Sequence, residues 1–346
     1  MLNMIIFSQK SSDTSESIDN ITETDGDSFE SSEISLPRFV RFWILILLDI
    51  PSVACTFFLL FHLILNRTLR REINNHIIII LLAFGLAGQL IDIPLYLIFI
   101  THAGIVFPST SATCLIWWLA AFGFYNGGTL LMAWAAIERY LLVYHDRLLS
   151  TIRKRLLVHY LPLIMIILYT GIFYIVVIFL PPCENIYDYT LPICNAYPCY
   201  QSYGVLGMWE FGANNIAPTV VVACFSILLL IRVTLLKRRL NQPMQWRKQR
   251  RMTIQLLSIT SLNLIFNMPL NILSLAHLCG LPSDVGFEAQ QYFYFSCYFL
   301  ILLFPFVCLY QYPDLYKKLF CKRTKRSIHV APPSNATLNI HARVVF

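Results

Sequence analysis

Three groups of polar residues stand out in an otherwise apolar chain, and each implies a kind of chemistry. Glu138, Arg139 and Tyr140 sit together in the run AAIERYLLVYHDR, where an adjacent acid and base can hold one another or release the cation to a partner. Glu210 and Asn214 are four residues apart, and Asn263, Asn267 and Asn271 recur at the same interval, so each set shares one face if the segment is helical. Glu210 calls for a cation, with a ligand cation as one candidate and a solvated interfacial carboxylate as the alternative. For Asn263 and Asn267 the expectation is interhelical hydrogen bonding, about 0.6 kcal/mol each. Asn271 is open between that role and ligand contact. Enzyme chemistry is not indicated, because HExxH, GxSxG and a phosphate-cradling glycine loop are all missing from the sequence. His62, His76, His102, His145 and His159 lack metal-ligand spacing, so neither a metal nor a cofactor is expected.

The elements that must position these residues are membrane spans. The chain has 346 residues, of which 57% are hydrophobic and only 13% charged, and its mean hydropathy is +0.62. A soluble domain carries about 25% charged residues. Crossing the hydrocarbon core takes about 20 apolar residues as a helix. Segments of that kind fall at 41–65, 76–100, 114–143, 156–180, 207–236, 250–278 and 289–311, which makes seven. The third, fifth and sixth are longer than a span requires and are expected to tilt or protrude. No repeat relates the two halves, so the inverted-repeat design of many transporters is unsupported.

Charge sets the expected orientation. Arg67, Arg70 and Arg71 follow the first segment, Arg147, Arg153, Lys154 and Arg155 the third, and a run from Lys237 to Arg251 the fifth. The tail adds Lys317, Lys318, Lys322, Arg323, Lys325 and Arg326, whereas the loops near 101–113, 181–206 and 279–288 have no Lys or Arg. The positive-inside rule then predicts an outside N-terminus and an inside C-terminus, and places the +7 net charge at the lipid surface, with no nucleic-acid partner. Residues 1–38 are acidic and read as a disordered outer segment, 39–321 as the membrane domain, and 322–346 as a basic inner tail. Of the sequons, Asn20 lies outside and is a candidate for glycosylation, while Asn66 and Asn335 lie inside.

Seven helices in this orientation, with ERY closing the third, resemble the rhodopsin-like G-protein-coupled receptors over residues 40 to 322. Cys114 stands 25 residues before Arg139, as the family's helix-three cysteine does, and Pro218, Pro269 and Pro305 fall where its prolines in helices five, six and seven belong. DLYKKLFC at 314–321 resembles its short amphipathic helix after the seventh span, ending at Cys321, a palmitoylation candidate. The resemblance implies that a heterotrimeric G protein meets Glu138, Arg139 and Tyr140, with Arg139 held by Glu138 at rest. It implies a ligand pocket among Tyr125, Glu210, Asn214, Asn271 and Tyr294, and a disulfide from Cys114 to the loop after helix four. Cys194 and Cys199 both stand at the family's distance, with Cys199 preferred, and the loop's other two cysteines, Cys183 among them, are free to pair.

The chain departs from the family at its inner polar relay. The helix-two aspartate position is Gly85, the helix-six tryptophan is Asn267, and the helix-seven asparagine and tyrosine are Phe304 and Cys308. Ala121 replaces the aspartate of the amine receptors, and 289–311 has no lysine for retinal. The expected ligand is therefore an extracellular peptide or a chemosensory small molecule. The rival reading is a seven-helix transporter or channel, hinted at by Asp49 beside Pro51 and Asp92 beside Pro94.

Overall fold

A computed structural model describes residues 35–144, 151–194, 198–239, 243–282, 285–313 and 315. In hydrocarbon every backbone N–H and C=O must bond within its own segment, which leaves apolar runs of this length no alternative to the helix. Seven helices are long and apolar enough to cross a membrane: α1 Arg38–Leu65, α2 Asn75–Thr101, α3 Ser111–Leu141, α4 Arg153–Phe179, α5 Gly204–Arg232, α6 Leu257–His277 and α7 Phe287–Gln311. No strand occurs among the described residues, and the chain is an all-α seven-helix bundle. The excess length expected of the fifth and sixth segments is present. The α5 helix runs on to Arg239, and that of α6 begins at Pro243.

Outward faces are apolar. In α4, Ile164, Met165, Leu168, Ile172, Ile175 and Val176 are exposed at helical spacing, a stripe suited to lipid rather than water. Inside, two apolar clusters stack along the bundle. One lies toward the end bearing the Arg- and Lys-rich loops and includes Leu63, Ile77, Leu131, Leu229, Ile259 and Leu315. The other surrounds Cys114 and Cys194 and includes Trp117, Trp118, Tyr174 and Tyr200. These are called the basic end and the disulfide end below.

Four turns are widened to π-helix: Gly88–Asp92 in α2, Leu119–Phe124 in α3, Leu156–Tyr160 in α4 and Glu210–Ile216 in α5. Three have a proline just beyond them, at Pro94, Pro162 and Pro218. A proline has no N–H and its ring collides with the carbonyl four residues back. Those carbonyls belong to Leu90, Val158 and Asn214, each inside its widened turn, so the extra residue relieves the clash where it arises. The α3 turn instead contains Gly123, where a Cβ would come within 2.9 Å of Leu119 and 3.4 Å of Tyr174. Three of the buried titratable residues that matter below, Asp92, His159 and Glu210, sit on these widened turns.

Several sequence readings fall outside the described residues: Asn20, Arg147, Cys321, nearly all of the amphipathic segment 314–321, and the tail 322–346.

Candidate functional site

At the disulfide end, Cys114 at the start of α3 pairs with Cys194, and Cys183 pairs with Cys199. The preference for Cys199 as the partner of Cys114 is thereby corrected. Cys199 opens a short helix, Cys199–Ser202, and its disulfide to Cys183 closes the loop on itself. Cys194 is fully buried beside Trp118, whose indole N–H donates to the Ile193 carbonyl at 2.7 Å. Distance along the chain to α5 does not distinguish the two cysteines, whereas burial against α3 does.

Immediately after Cys199, Tyr200 and Gln201 reach Glu210. The Tyr200 hydroxyl donates to Glu210 Oε1 at 2.9 Å, Gln201 Nε2 donates to Oε2 at 2.9 Å, and Asn126 Nδ2 of α3 approaches Oε1 at 3.5 Å. Asn126 also donates to the Tyr174 hydroxyl of α4 at 2.7 Å. Burial and the neighbouring Glu210 carboxylate push the Tyr200 phenol well above its ordinary value, so it remains a donor. Glu210 is 4% exposed. It is buried rather than a solvated interfacial acid, and donors of the protein reach both of its oxygens. Its role here is to fasten the loop to α3, α4 and α5. Asn214, one turn on, accepts from the Tyr169 hydroxyl at 2.7 Å, and Tyr169 in turn accepts from Trp209 Nε1 at 2.8 Å.

The other expected pocket residues are spread over different seams. Asn271 and Asn267 both donate to Thr219 Oγ1 of α5, at 2.9 and 3.3 Å, which is the interhelical bonding expected for Asn267. Asn263 is fully buried, yet neither its Oδ1 nor its Nδ2 has a partner. Tyr294 is 39% exposed on α7. Tyr125 lines an apolar cavity of about 50 Å³ with Gly85 and Gly88 of α2, Gly128 of α3, and Ile301 and Phe304 of α7. The cavity lies beside the position where a helix-two aspartate was sought and Gly85 stands, and its lining offers no carboxylate for a cation.

The polar contacts of the middle bundle come from residues that the sequence did not single out. Pro305 frees the carbonyl of Ile301 in α7. Gln89 of α2 donates to that carbonyl at 3.3 Å and to Ser52 Oγ of α1 at 2.6 Å, while Ser52 donates to the Leu302 carbonyl at 2.8 Å. Thr56 of α1 completes the set by donating to Gln89 Oε1 at 3.0 Å. One signal for it was available: a proline within a span leaves an acceptor that some neighbouring side chain must satisfy. Farther toward the disulfide end, Asp92 accepts from Trp117 Nε1 at 2.7 Å and from the Tyr298 hydroxyl at 3.3 Å. Arg41, buried in α1, donates to the Tyr96 hydroxyl at 2.9 Å. A tally of loop charges overlooks this cation because it lies inside a helix.

At the basic end, Glu138 is fully buried and Arg139 is 9% exposed. Glu138 Oε1 is taken by His159 Nδ1 of α4 at 2.6 Å, and its Oε2 has no hydrogen-bond partner. The hydrogen bond of Glu138 thus goes to His159 and not to Arg139, the partner expected at rest. His159 faces Glu138 from α4, whereas the side chain of Arg139, the next residue along α3, leaves the helix about 100° away. His159 Nε2 lies 3.2 Å from His76 Nδ1 of α2. Tyr140 packs edge-on against Phe225 of α5, 5.5 Å between ring centroids. Tyr312, one turn beyond Cys308, donates its hydroxyl to Asn75 Oδ1 at 2.7 Å. Among the described residues no cluster of His, Cys, Asp or Glu has metal-holding geometry.

No protein-family model matches this sequence, and neither does any curated protein sequence, so a functional reading rests on the seven-helix bundle and on these contacts.

Proposed function

We propose that the chain is a divergent rhodopsin-like G-protein-coupled receptor, not an enzyme, with its N-terminus outside and its C-terminus inside the plasma membrane. The observation that carries the proposal is the Cys114–Cys194 bond. It ties the start of α3 to the loop between α4 and α5, at the opposite end of the same helix from Glu138, Arg139 and Tyr140. One helix then links a covalently fixed outer loop to a basic inner face, the layout a receptor needs to pass a ligand's effect across the bilayer. The ligand, a peptide or small molecule, meets the doubly cross-linked loop and the ends of α3, α5, α6 and α7. It shifts the population of α5 and α6 arrangements by its differential affinity for them. A heterotrimeric G protein meets Arg139 and the basic ends of α5 and α6.

A transporter or channel is the alternative, and the broken helices beside buried acids are what favour it. Against that, Asp92 and Glu210 are bonded to side chains of the bundle. The test is nucleotide exchange on G proteins in membranes bearing the wild type or Arg139→Ala at equal surface expression. Exchange over a ligand panel that disappears in the variant supports the receptor reading. Ligand-dependent flux that is untouched by Arg139→Ala, without exchange on any G protein, would replace it with the transporter.

A further inference from the structure

Three side chains from three helices form a single file at the basic end. Glu138 of α3 meets His159 of α4 at 2.6 Å, His159 Nε2 meets His76 Nδ1 of α2 at 3.2 Å, and His76 Nε2 meets the Arg70 carbonyl at 2.9 Å. Glu138 and His159 are wholly buried, whereas His76 is half-buried beside the loop after α1. Each of the three contacts needs one proton between its two heavy atoms. Two neutral imidazoles supply one N–H each, and an ionised carboxylate supplies none. The file is therefore one proton short unless it binds another, either as an imidazolium beside a carboxylate or as a carboxylic acid beside two neutral rings. The same proton lies against Glu138, which is wholly buried and accepts a hydrogen bond from His159 at one oxygen and none at the other. A metal ion does not serve instead, since Glu138 and His76 use opposite nitrogens of His159 and no single ion can touch all three.

We propose that Glu138, His159 and His76 form a proton-binding site that holds one proton beyond an ionised acid and two neutral imidazoles, and so couples the arrangement of α2, α3 and α4 to pH. The groups around it are identifiable. Arg139 is buried next to Glu138 on α3, and Tyr160 of α4 lies with its ring 4.8 Å from His159 and 5.6 Å from His76. Arg70, Arg71 and Glu72 before α2, and Arg153, Lys154 and Arg155 at the start of α4, are exposed. Water screens these exposed charges, so burial of the rings and the neighbouring Arg139 oppose the proton, and Glu138 supports it. The sign follows. The arrangement seen here binds the extra proton, so acid favours it and rising pH releases it, by at most tenfold per pH unit for one proton. The site stands whether the chain is a receptor or a transporter.

The test uses the full chain in lipid nanodiscs, with histidine ring nitrogens read by NMR and carboxyl groups by infrared spectroscopy from about pH 5.5 to about pH 8.5. At pH 7 the wild type should show either an imidazolium or a protonated carboxyl that titrates as one proton. His76→Gln should abolish it, because an amide N–H donates to His159 Nε2 and leaves no contact short of a proton. Glu138→Gln removes the supporting charge and should move the titration to lower pH by more than tenfold in proton concentration; it also serves if His76→Gln fails to fold. Two neutral rings with an ionised Glu138 in the wild type would overturn the proposal. So would a titration that is the same in wild type and both variants.

Discussion

Replacing Gln89 by Met tests the idea that the proline in α7 is held by side chains of its neighbours. The exchange removes the donor to the Ile301 carbonyl and to Ser52, and the acceptor for Thr56, with little change in volume. Hydrogen bonds between membrane helices average about 0.6 kcal/mol, whereas a buried group left without a partner costs about 1–3 kcal/mol. Ser52 keeps its bond to the Leu302 carbonyl and Thr56 its bond to the Ser52 carbonyl, so Ile301 is the main orphan. The expected loss is therefore about 1–3 kcal/mol, the cost of that one unsatisfied carbonyl. Pro305→Ala supplies the missing test. Alanine restores an N–H that bonds to the Ile301 carbonyl within α7, and in that background Gln89→Met should cost less by about 0.5–1.5 kcal/mol. The assay is thermal unfolding in nanodiscs at one scan rate, with the four proteins of the cycle compared side by side. Pro269→Ala in α6 is the control, since Gln89 makes no bond to that helix. If Gln89→Met and Pro305→Ala are additive within about 0.5 kcal/mol, the carbonyl is not what Gln89 holds, and the account of how α7 accommodates Pro305 is wrong.

Other expectations are quicker to check. Peptide mapping without reduction should recover Cys114 with Cys194 and Cys183 with Cys199; Cys199→Ser should leave the first pair intact, whereas Cys194→Ser should abolish it. A closed loop of 80 residues corresponds to about 4–5 kcal/mol on the chain-entropy account, an upper bound here because inserted helices already restrain the unfolded chain. Gly127→Ala would put a Cβ 2.7 Å from Phe84 and 2.8 Å from Thr170 and should cost about 1–3 kcal/mol by overpacking, whereas Gly171→Ala meets nothing within 4 Å and should be neutral or stabilising in the same melt. Glu210→Ala should lower surface expression and loosen the cross-linked loop, read as faster proteolysis, because it strands the Tyr200 and Gln201 donors. Glu210→Gln keeps one acceptor and should fall between Ala and wild type.

The spans were legible because the bilayer imposes one rule on every residue alike. Length and hydropathy alone placed all seven helices, and the same long runs announced that α5 and α6 continue past the apolar core. Helical spacing also put Asn267 and Asn271 on one face, and both indeed meet Thr219. What the spacing does not carry is the partner. Asn263 shares that face and bonds nothing, because contact depends on what the opposite helix presents at that height. Glu210 was expected to call for a cation, whereas its partners are neutral donors, two of them from a loop whose path is set by the Cys183–Cys199 bond.

By itself, then, the sequence determined that this is an all-α chain of seven spans with the Lys and Arg of its loops gathered at one end. Each of those properties is local, the sum of transfer free energies and charges along consecutive residues. The tertiary structure alone decided that Cys194 rather than Cys199 reaches Cys114, that His159 rather than Arg139 hydrogen-bonds Glu138, and that Gln89 bonds the carbonyl freed by Pro305. These are pairings between helices, set by the rotation and height of each helix against its neighbours to within about an ångström. Side chains on several faces satisfy the same composition and periodicity, and only packing selects which of them meet.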